Sequence, residues 1–169
     1  MKRIIFPAAA LAVLLLLTMS LVAHPHFNKT VTAKLPSGVD ATITYNTTPA
    51  NESHVTKAAV GSFLNPRRPM LKLAGELKAG SVTIPAGDYI IGVIKISEND
   101  FTMALYPGQI PRGESADMSK MIKLESMFTT SAGKAAHMLI DITPGSDKFE
   151  GRAVLTLHFG SLFLAGALS

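Results

Sequence analysis

Short segments in which apolar and polar residues alternate run through this 169-residue chain, and they constrain its fold more than any other feature. In an extended chain, successive side chains point to opposite faces. Leu155, Leu157 and Phe159 therefore share one face of the segment LTLHF. Thr156 and His158 share the other face. Such segments, separated by Pro, Gly, Asn and Asp residues, predict an all-β fold, which we expect to be an antiparallel β-sandwich of about nine or ten short strands.

Turn residues place two hairpins and one short helical segment. Residues 30–35 and 39–45 are β-branched runs on either side of a Pro-Ser-Gly turn, and they predict the first hairpin. Residues 80–84 and 89–96 flank a Pro-Ala-Gly-Asp turn and predict the second. Residues 114–121 are the one segment for which a turn or two of helix is predicted.

The N-terminus has the pattern of a secretory signal peptide. A basic start at residues 1–3 precedes an apolar stretch of 14 residues at 4–17, and Ala23 provides a small residue for cleavage. A bilayer-spanning helix needs about 20 apolar residues, so this stretch is short for a permanent anchor. We predict a signal-peptide helix over residues 1–23 and a single β-sandwich domain over residues 24–169.

Cleavage of the leader would release the domain into the periplasm or the extracellular space. Cleavage after Ser20 is an alternative to cleavage after Ala23, and an uncleaved anchor over residues 4–23 is a third interpretation. The chain has no cysteine, which excludes disulfides, thiolate metal sites and cysteine nucleophiles. Removal of 23 of the 169 residues leaves 146. A domain of that size buries about 68–70% of its unfolded surface, so it can fold without cross-links.

The mature chain carries little net charge. Lys2 and Arg3 leave with the leader, so 14 of the 16 basic residues remain against 12 acidic residues, a net charge of +2. Nucleic-acid binding requires basic residues clustered on one face, whereas these are scattered along the sequence. We therefore expect no nucleic-acid partner, and no membrane insertion after the leader is cleaved.

Two blocks of sequence resemble a known family. The blocks are LKAGSVTIPAGDYIIGV over residues 77–93 and AVLTLHFGSLFLAG over residues 153–166. Both are similar to a bacterial exported family known as domain of unknown function number 2911. The chain departs from that family at Phe101, where a tryptophan is usual, and in the segment 61–68. The resemblance implies a β-rich exported domain and carries over no catalytic residue.

The segment HPHF raises the hypothesis of a copper site. If His24 becomes the first residue, its amine and imidazole can chelate copper, and one further histidine completes a histidine brace. In this respect the segment resembles the start of lytic polysaccharide monooxygenases and of periplasmic copper-resistance protein C, both β-sandwiches. Imidazole nitrogen suits Cu(II). The candidate metal ligands are His24, His26, His54, His137 and His158.

The type of copper chelate is restricted by Pro25. The simpler motif, which joins the terminal amine to the third residue, needs a deprotonated backbone amide at the second position, and proline has no amide proton. A histidine brace does not use this backbone amide, so Pro25 does not exclude it. Cleavage after Ser20 would instead place three residues before His24 and remove the brace.

Two further segments have both a chemical and a simpler interpretation. Residues 65–69 read Asn-Pro-Arg-Arg-Pro, which cannot be a helix or a central strand. Arg67 and Arg68 could clamp an anion, because guanidinium groups fit carboxylates and phosphates; a solvated loop is the simpler interpretation. Similarly, Glu52 and His54 could ligate a metal, or they could lie in a solvated turn.

These observations lead to two functional hypotheses and a weaker third. The first is a non-catalytic exported β-sandwich that binds an unidentified ligand or protein in the cell envelope, or has a structural role there, with no cofactor expected. The second is a copper-binding protein that uses the brace, and the third is an oxidative enzyme at the same site. Hydrolase and phosphate-loop motifs do not occur in the sequence.

Overall fold

A computed structural model describes residues 26–168 of the chain. The leader predicted over residues 1–23 and the candidate ligand His24 lie outside the described residues. Within 26–168, no helix has both the length and the apolar character that a membrane span requires.

The described residues form thirteen strands, one short α-helix and two 3-10 helices. The first half contains β1 (Asn28–Lys34), β2 (Asp40–Asn46), α1 (Glu52–Thr56), β3 (Phe63–Leu64), β4 (Met70–Leu73), β5 (Leu77–Ala79) and β6 (Val82–Ile84). The second half contains β7 (Gly87–Ser97), β8 (Asp100–Pro107), a 3-10 helix (Met118–Lys120), β9 (Ile122–Lys123), β10 (Ser126–Thr129), β11 (Ala135–Pro144), a 3-10 helix (Asp147–Phe149), β12 (Ala153–Gly160) and β13 (Leu162–Ala167). The predicted all-β class is confirmed, but the described residues contain thirteen strands where about nine or ten were predicted.

The strands form two large sheets and one small sheet, and every pairing between strands is antiparallel. The seven-stranded sheet has the order β1-β2-β4-β7-β8-β9, with β3 also paired to β7. The four-stranded sheet has the order β10-β13-β12-β11, and β5 and β6 form a separate pair. The first predicted hairpin is β1–β2, in which Val31 lies opposite Ile43.

Side chains from both large sheets form one hydrophobic core. Its fully buried members include Ile43, Leu71 and Met103 from the seven-stranded sheet, and Met138, Leu155 and Leu164 from the four-stranded sheet. Burial of one such side chain stabilises the fold by roughly 1.5–3 kcal/mol. The predicted alternation in β12 is confirmed, because Leu155, Leu157 and Phe159 are buried, whereas Thr156 and His158 are only half-buried.

Three features of the structure differ from the sequence prediction. The second predicted hairpin, residues 80–84 with 89–96, does not form, because β6 pairs with β5, whereas β7 pairs with β3, β4 and β8. Residues 122–128 do not form one strand, since they are divided between β9 in the larger sheet and β10 in the smaller sheet. Alternation cannot reveal this division, because a chain that changes sheets keeps its apolar face toward the same core. The helical turn predicted over 114–121 is shorter, a 3-10 helix at Met118–Lys120, and Asp117 caps it through the Ser119 N–H.

Candidate functional site

A cavity of about 590 Å³ opens beside α1 and β3, and we call it the α1–β3 cavity. Its volume lies within the range typical of small-molecule sites, roughly 300–1,000 Å³. Its polar lining residues are His26, Thr48, Asn51, His54, Asn65 and Arg67. Its apolar wall contains Val55, Phe63, Leu64, Pro66 and Phe159. Of residues 26–168, no Asp or Glu lines this cavity, so its charged lining is cationic.

His26 is held at the cavity by Thr47, which follows β2. The Thr47 N–H donates to Phe27 O at 2.8 Å, and the Phe27 N–H donates to Thr47 Oγ1 at 3.0 Å. His26 Nδ1 lies 3.1 Å from Thr47 O. Because a carbonyl oxygen only accepts hydrogen bonds, Nδ1 is the donor, and Nε2 of the neutral imidazole is left as an acceptor.

The segment before α1 crosses from one sheet to the other. After β2, the Thr48 carbonyl accepts a hydrogen bond from the Met138 N–H at 2.8 Å, and the Ala50 N–H donates to Ala136 O at 3.0 Å. Pro49 forms an isolated bridge with His137. This crossing brings α1 between the edge of the four-stranded sheet and the seven-stranded sheet.

The first residue of α1 is fixed to the four-stranded sheet. Glu52 accepts hydrogen bonds from the Ser161 hydroxyl at 2.7 Å and from the Ser161 N–H at 3.0 Å, in the turn between β12 and β13. These bonds lower the pKa of the Glu52 carboxyl, the hydroxyl bond most strongly, and Lys134 Nζ at 3.9 Å adds to the effect. The Glu52 carboxylate therefore positions the helix and does not serve as a metal ligand beside His54.

The last turn of α1 is fixed to the seven-stranded sheet by Lys95 in β7. The Lys95 side chain is 1% exposed, and its Nζ donates to Thr56 O at 2.7 Å, to Ala58 O at 3.0 Å and to Glu98 Oε2 at 3.2 Å. A cation stabilises the C-terminal end of a helix, where backbone carbonyls have no partner within the helix. The two anchored ends hold His54 and Val55 at the cavity.

Arg67 and Arg68 lie in the loop that joins β3 to β4. Both have left-handed backbone conformations, with φ of 59° and 49°, and the Arg68 N–H donates to Asn65 O at 3.0 Å. Arg68 Nη1 donates to Ile110 O, and its side chain lines a separate cavity of about 380 Å³. Arg67 lines the α1–β3 cavity and, within the described part of the chain, has neither a side-chain hydrogen bond nor an ion pair.

The apolar wall of the α1–β3 cavity separates it from a small space in the core. Val55, Leu64, Pro66 and Phe159 line both the α1–β3 cavity and an interior cavity of about 20 Å³. The other residues around the interior cavity are apolar side chains of both sheets: Val93, Phe101, Leu157, Leu162 and Leu164. The cavity is thus polar at its mouth and apolar toward the core.

Of the four predicted histidines in the described range, two line the α1–β3 cavity and two do not. His26 and His54 line the same cavity. His158 lies on the opposite face of β12 from Phe159, with its ring edge-on to Phe163 at 5.5 Å, and His137 is not a lining residue. Residues 26–168 contain no group of three or more His, Cys, Asp or Glu side chains suited to holding a metal.

The supporting residues Thr47, Lys95 and Ser161 were not predicted from the sequence. Lys95 gave a usable signal, because it is the one charge in the apolar run YIIGVIKI at 89–96. Thr47 and Ser161 gave none, since a lone hydroxyl residue in a turn is usually solvated. The partner of Ser161 is 109 residues away in sequence.

Comparison with known proteins does not identify the chain. No protein-family model matches it, and neither a curated protein nor a solved structure does. The likeness to domain of unknown function number 2911 therefore stays a prediction that rests on two sequence blocks.

Proposed function

We propose that this chain is an exported β-sandwich domain that binds a small organic ligand in the α1–β3 cavity without chemical conversion. The observation that carries the proposal is the composition of this cavity: His26, His54 and Arg67 lie at its mouth, and an apolar wall lies below. Ligand sites typically combine an apolar surface with a few placed polar groups.

The supporting contacts favour binding over catalysis. General acid–base sites usually orient a histidine with a carboxylate, as in catalytic triads. The lining residues in the described range provide no such carboxylate, and Glu52, the acid nearest in sequence to His54, is occupied by Ser161. A site with anchored walls and no carboxylate to orient its histidines is suited to holding a ligand.

The proposal can be tested with three probes that share an octyl chain and differ in head group: octanoate, 1-octanol and octylammonium. Each is titrated into the isotope-labelled mature domain while amide NMR signals are followed. We expect at least one probe to shift the amides of Val55, Leu64 and Phe159 in a saturable manner. Failure of all three to do so would contradict a ligand site in this cavity.

Export is part of the proposal and has its own test. N-terminal sequencing of the protein recovered from the periplasm or the medium should give a mature terminus at His24, or at Leu21 if cleavage follows Ser20. Recovery of the full-length chain in the cytoplasm alone would contradict export.

Copper binding is the second candidate, and the bond from His26 to Thr47 favours it. Metal-binding histidines commonly donate the N–H of the other ring nitrogen to a backbone carbonyl, as His26 Nδ1 does here. His54 lines the same cavity, and His24 precedes His26 by two residues. A copper site would combine the amine and imidazole of His24 with one of these two imidazoles.

Electron paramagnetic resonance of the processed protein with one equivalent of Cu(II) tests this candidate. A brace predicts a spectrum with coupling to several nitrogens that is changed by His54→Ala or His26→Ala. His158→Ala is the matched control and should leave the spectrum unchanged, since His158 does not line the cavity. A spectrum of aqueous Cu(II) would rule the brace out.

A further inference from the structure

We infer that the ligand of the α1–β3 cavity is an amphipathic organic anion. Its acidic head group would bind Arg67 at the mouth, and its apolar body would lie on Val55, Leu64 and Phe159. This inference rests on the proposed function, because it names the class of ligand for the same cavity.

The charge of the lining gives the head group. Arg67 is the one permanently charged side chain among the lining residues in the described range, and no carboxylate there neutralises it. Its planar guanidinium presents N–H donors in a fork that matches a carboxylate. Asn51 and Asn65 add neutral amide groups at the same mouth. A cationic head group would meet Arg67 without a compensating anion.

The backbone of the loop supports a role for Arg67 beyond solvation. Residues other than glycine rarely adopt positive φ, and such conformations occur often at ligand-binding positions. Arg67 has φ of 59° between Pro66 and Arg68, and the Arg68 bond to Ile110 O ties the loop down. Within residues 26–168 the Arg67 side chain makes no hydrogen bond that would offset the cost of this conformation. The conformation is held instead by the Arg68 N–H bond to Asn65 O and by the Arg68 side-chain bond to Ile110 O.

The wall gives the apolar body and limits its length. Val55, Leu64, Pro66 and Phe159 form a continuous apolar surface between the mouth and the core. The interior cavity beyond this wall has about 20 Å³, roughly the space of a single water molecule. An alkyl or aryl group can therefore lie against the wall, but it cannot pass into the core without displacing Phe159 or Leu64.

The test compares the affinities of octanoate, 1-octanol and octylammonium for the mature domain, measured by the same NMR titration. We expect octanoate to bind about tenfold more tightly than 1-octanol, and octylammonium to bind most weakly, because a hydrogen bond to a charged group supplies a difference of this size. The preference for octanoate should shrink as salt is added, since Arg67 is exposed.

Arg67→Gln should bring octanoate down to the affinity of 1-octanol, and Arg67→Lys should restore part of the difference. Arg112→Gln is the matched control, an exposed arginine that does not line this cavity, and it should leave the affinities of all three probes unchanged.

The outcomes distinguish the proposed function from this inference. No binding by any probe overturns the proposed function. Binding at the cavity without a preference for octanoate, or a preference that survives Arg67→Gln, overturns this inference alone.

Discussion

Lys95 shows how one residue can position a site that it does not line. Its position in β7 is central in the larger sheet, and its ammonium group is enclosed by the carbonyls that end α1. A buried charge is tolerated only where hydrogen bonds replace its hydration. Lys95 meets this condition with three acceptors, two of which are backbone carbonyls on α1 and the segment after it.

Replacement of Lys95 by Met should therefore lower the free energy of unfolding by about 1.5–3 kcal/mol, because the Thr56 and Ala58 carbonyls lose a charged donor. Urea denaturation measures this change, and hydrogen exchange should show faster opening of α1. Lys72→Met is the matched control at an exposed lysine in β4, with an expected change within about 0.5 kcal/mol. Equal effects of the two substitutions would show that Lys95 does not anchor α1.

Arg67 provides a contrasting case, in which the proposed binding role and the stability of the fold are in conflict. Because glycine adopts positive φ without a steric penalty, Arg67→Gly should raise the free energy of unfolding by up to about 1 kcal/mol while it weakens octanoate binding. Arg112→Gly, at a position without positive φ, should instead lower it by about 0.5–1 kcal/mol. Thermal denaturation of both variants measures the difference. If Arg67→Gly destabilises the protein, the backbone at Arg67 is not strained.

At the scale of elements, α1 is a five-residue helix that joins two sheets. Such a short helix is marginal by itself, so its stability must come from the contacts at its ends. Glu52 supplies the contact to the four-stranded sheet and Lys95 the contact to the seven-stranded sheet. The α1–β3 cavity is consequently sensitive to either contact.

The Glu52 contact should appear in the pH dependence of stability. Ser161 lowers the pKa of Glu52 in the folded protein below its ordinary value of 4.5, so the stabilisation is complete above that value and is lost as the pH falls through the lowered pKa. Between about pH 6 and pH 3, wild type should therefore lose more stability than Glu52→Gln. Denaturation at a series of pH values measures both proteins, and parallel curves would contradict the contact.

The effect of Glu52 is isolated by this comparison. Glu125 and Asp117 also have lowered pKa values, held down mainly by hydrogen bonds from Arg152 and Ser119 respectively. Both groups are present in wild type and in Glu52→Gln, so their contributions to the pH dependence cancel. Any remaining difference between the curves belongs to Glu52.

The second element that shapes the cavity is β3, which packs closely over Gly92 of β7. A Cβ atom at Gly92 would meet the Phe63 ring and would lie 2.7 Å from Leu64 O. Gly92→Ala should displace β3, with a cost of about 1–3 kcal/mol, and should weaken octanoate binding because Phe63 and Leu64 line the cavity. Denaturation and the NMR titration measure the two effects.

Gly75→Ala is the matched control for this substitution. Its new Cβ atom would meet the methyl groups of Val39, nearest at 3.0 Å, and a side-chain methyl can move where a backbone carbonyl cannot. We expect a smaller loss of stability and unchanged octanoate binding. If both alanine variants bind octanoate as wild type does, β3 is not a wall of the ligand site.

At the scale of the whole molecule, local pattern predicts the strands well. The β1–β2 hairpin and the buried face of β12 follow from alternation and turn residues within a few positions of one another. The cavity depends instead on contacts that are distant in sequence, such as Glu52 with Ser161 and Lys95 with Thr56. No local pattern records such contacts, so the sequence identified His26, His54 and Arg67 as candidates without showing that they share a cavity.

Because the chain has no cysteine, its stability must come from packing and from such anchoring contacts. One core receives side chains from both large sheets, and α1 closes one part of its boundary beside Phe159. Ligand binding at this boundary would stabilise the folded domain by mass action, by about 2.7 kcal/mol at a ligand concentration one hundred times the Kd.

The most direct test of the binding account is a crystal structure of the domain over residues 24–169, grown with octanoate. The account predicts density in the α1–β3 cavity, with the carboxylate within hydrogen-bond distance of the Arg67 guanidinium and the alkyl chain on Val55, Leu64 and Phe159. An empty cavity at a saturating octanoate concentration, or octanoate bound elsewhere with Arg67 turned to solvent, would contradict it.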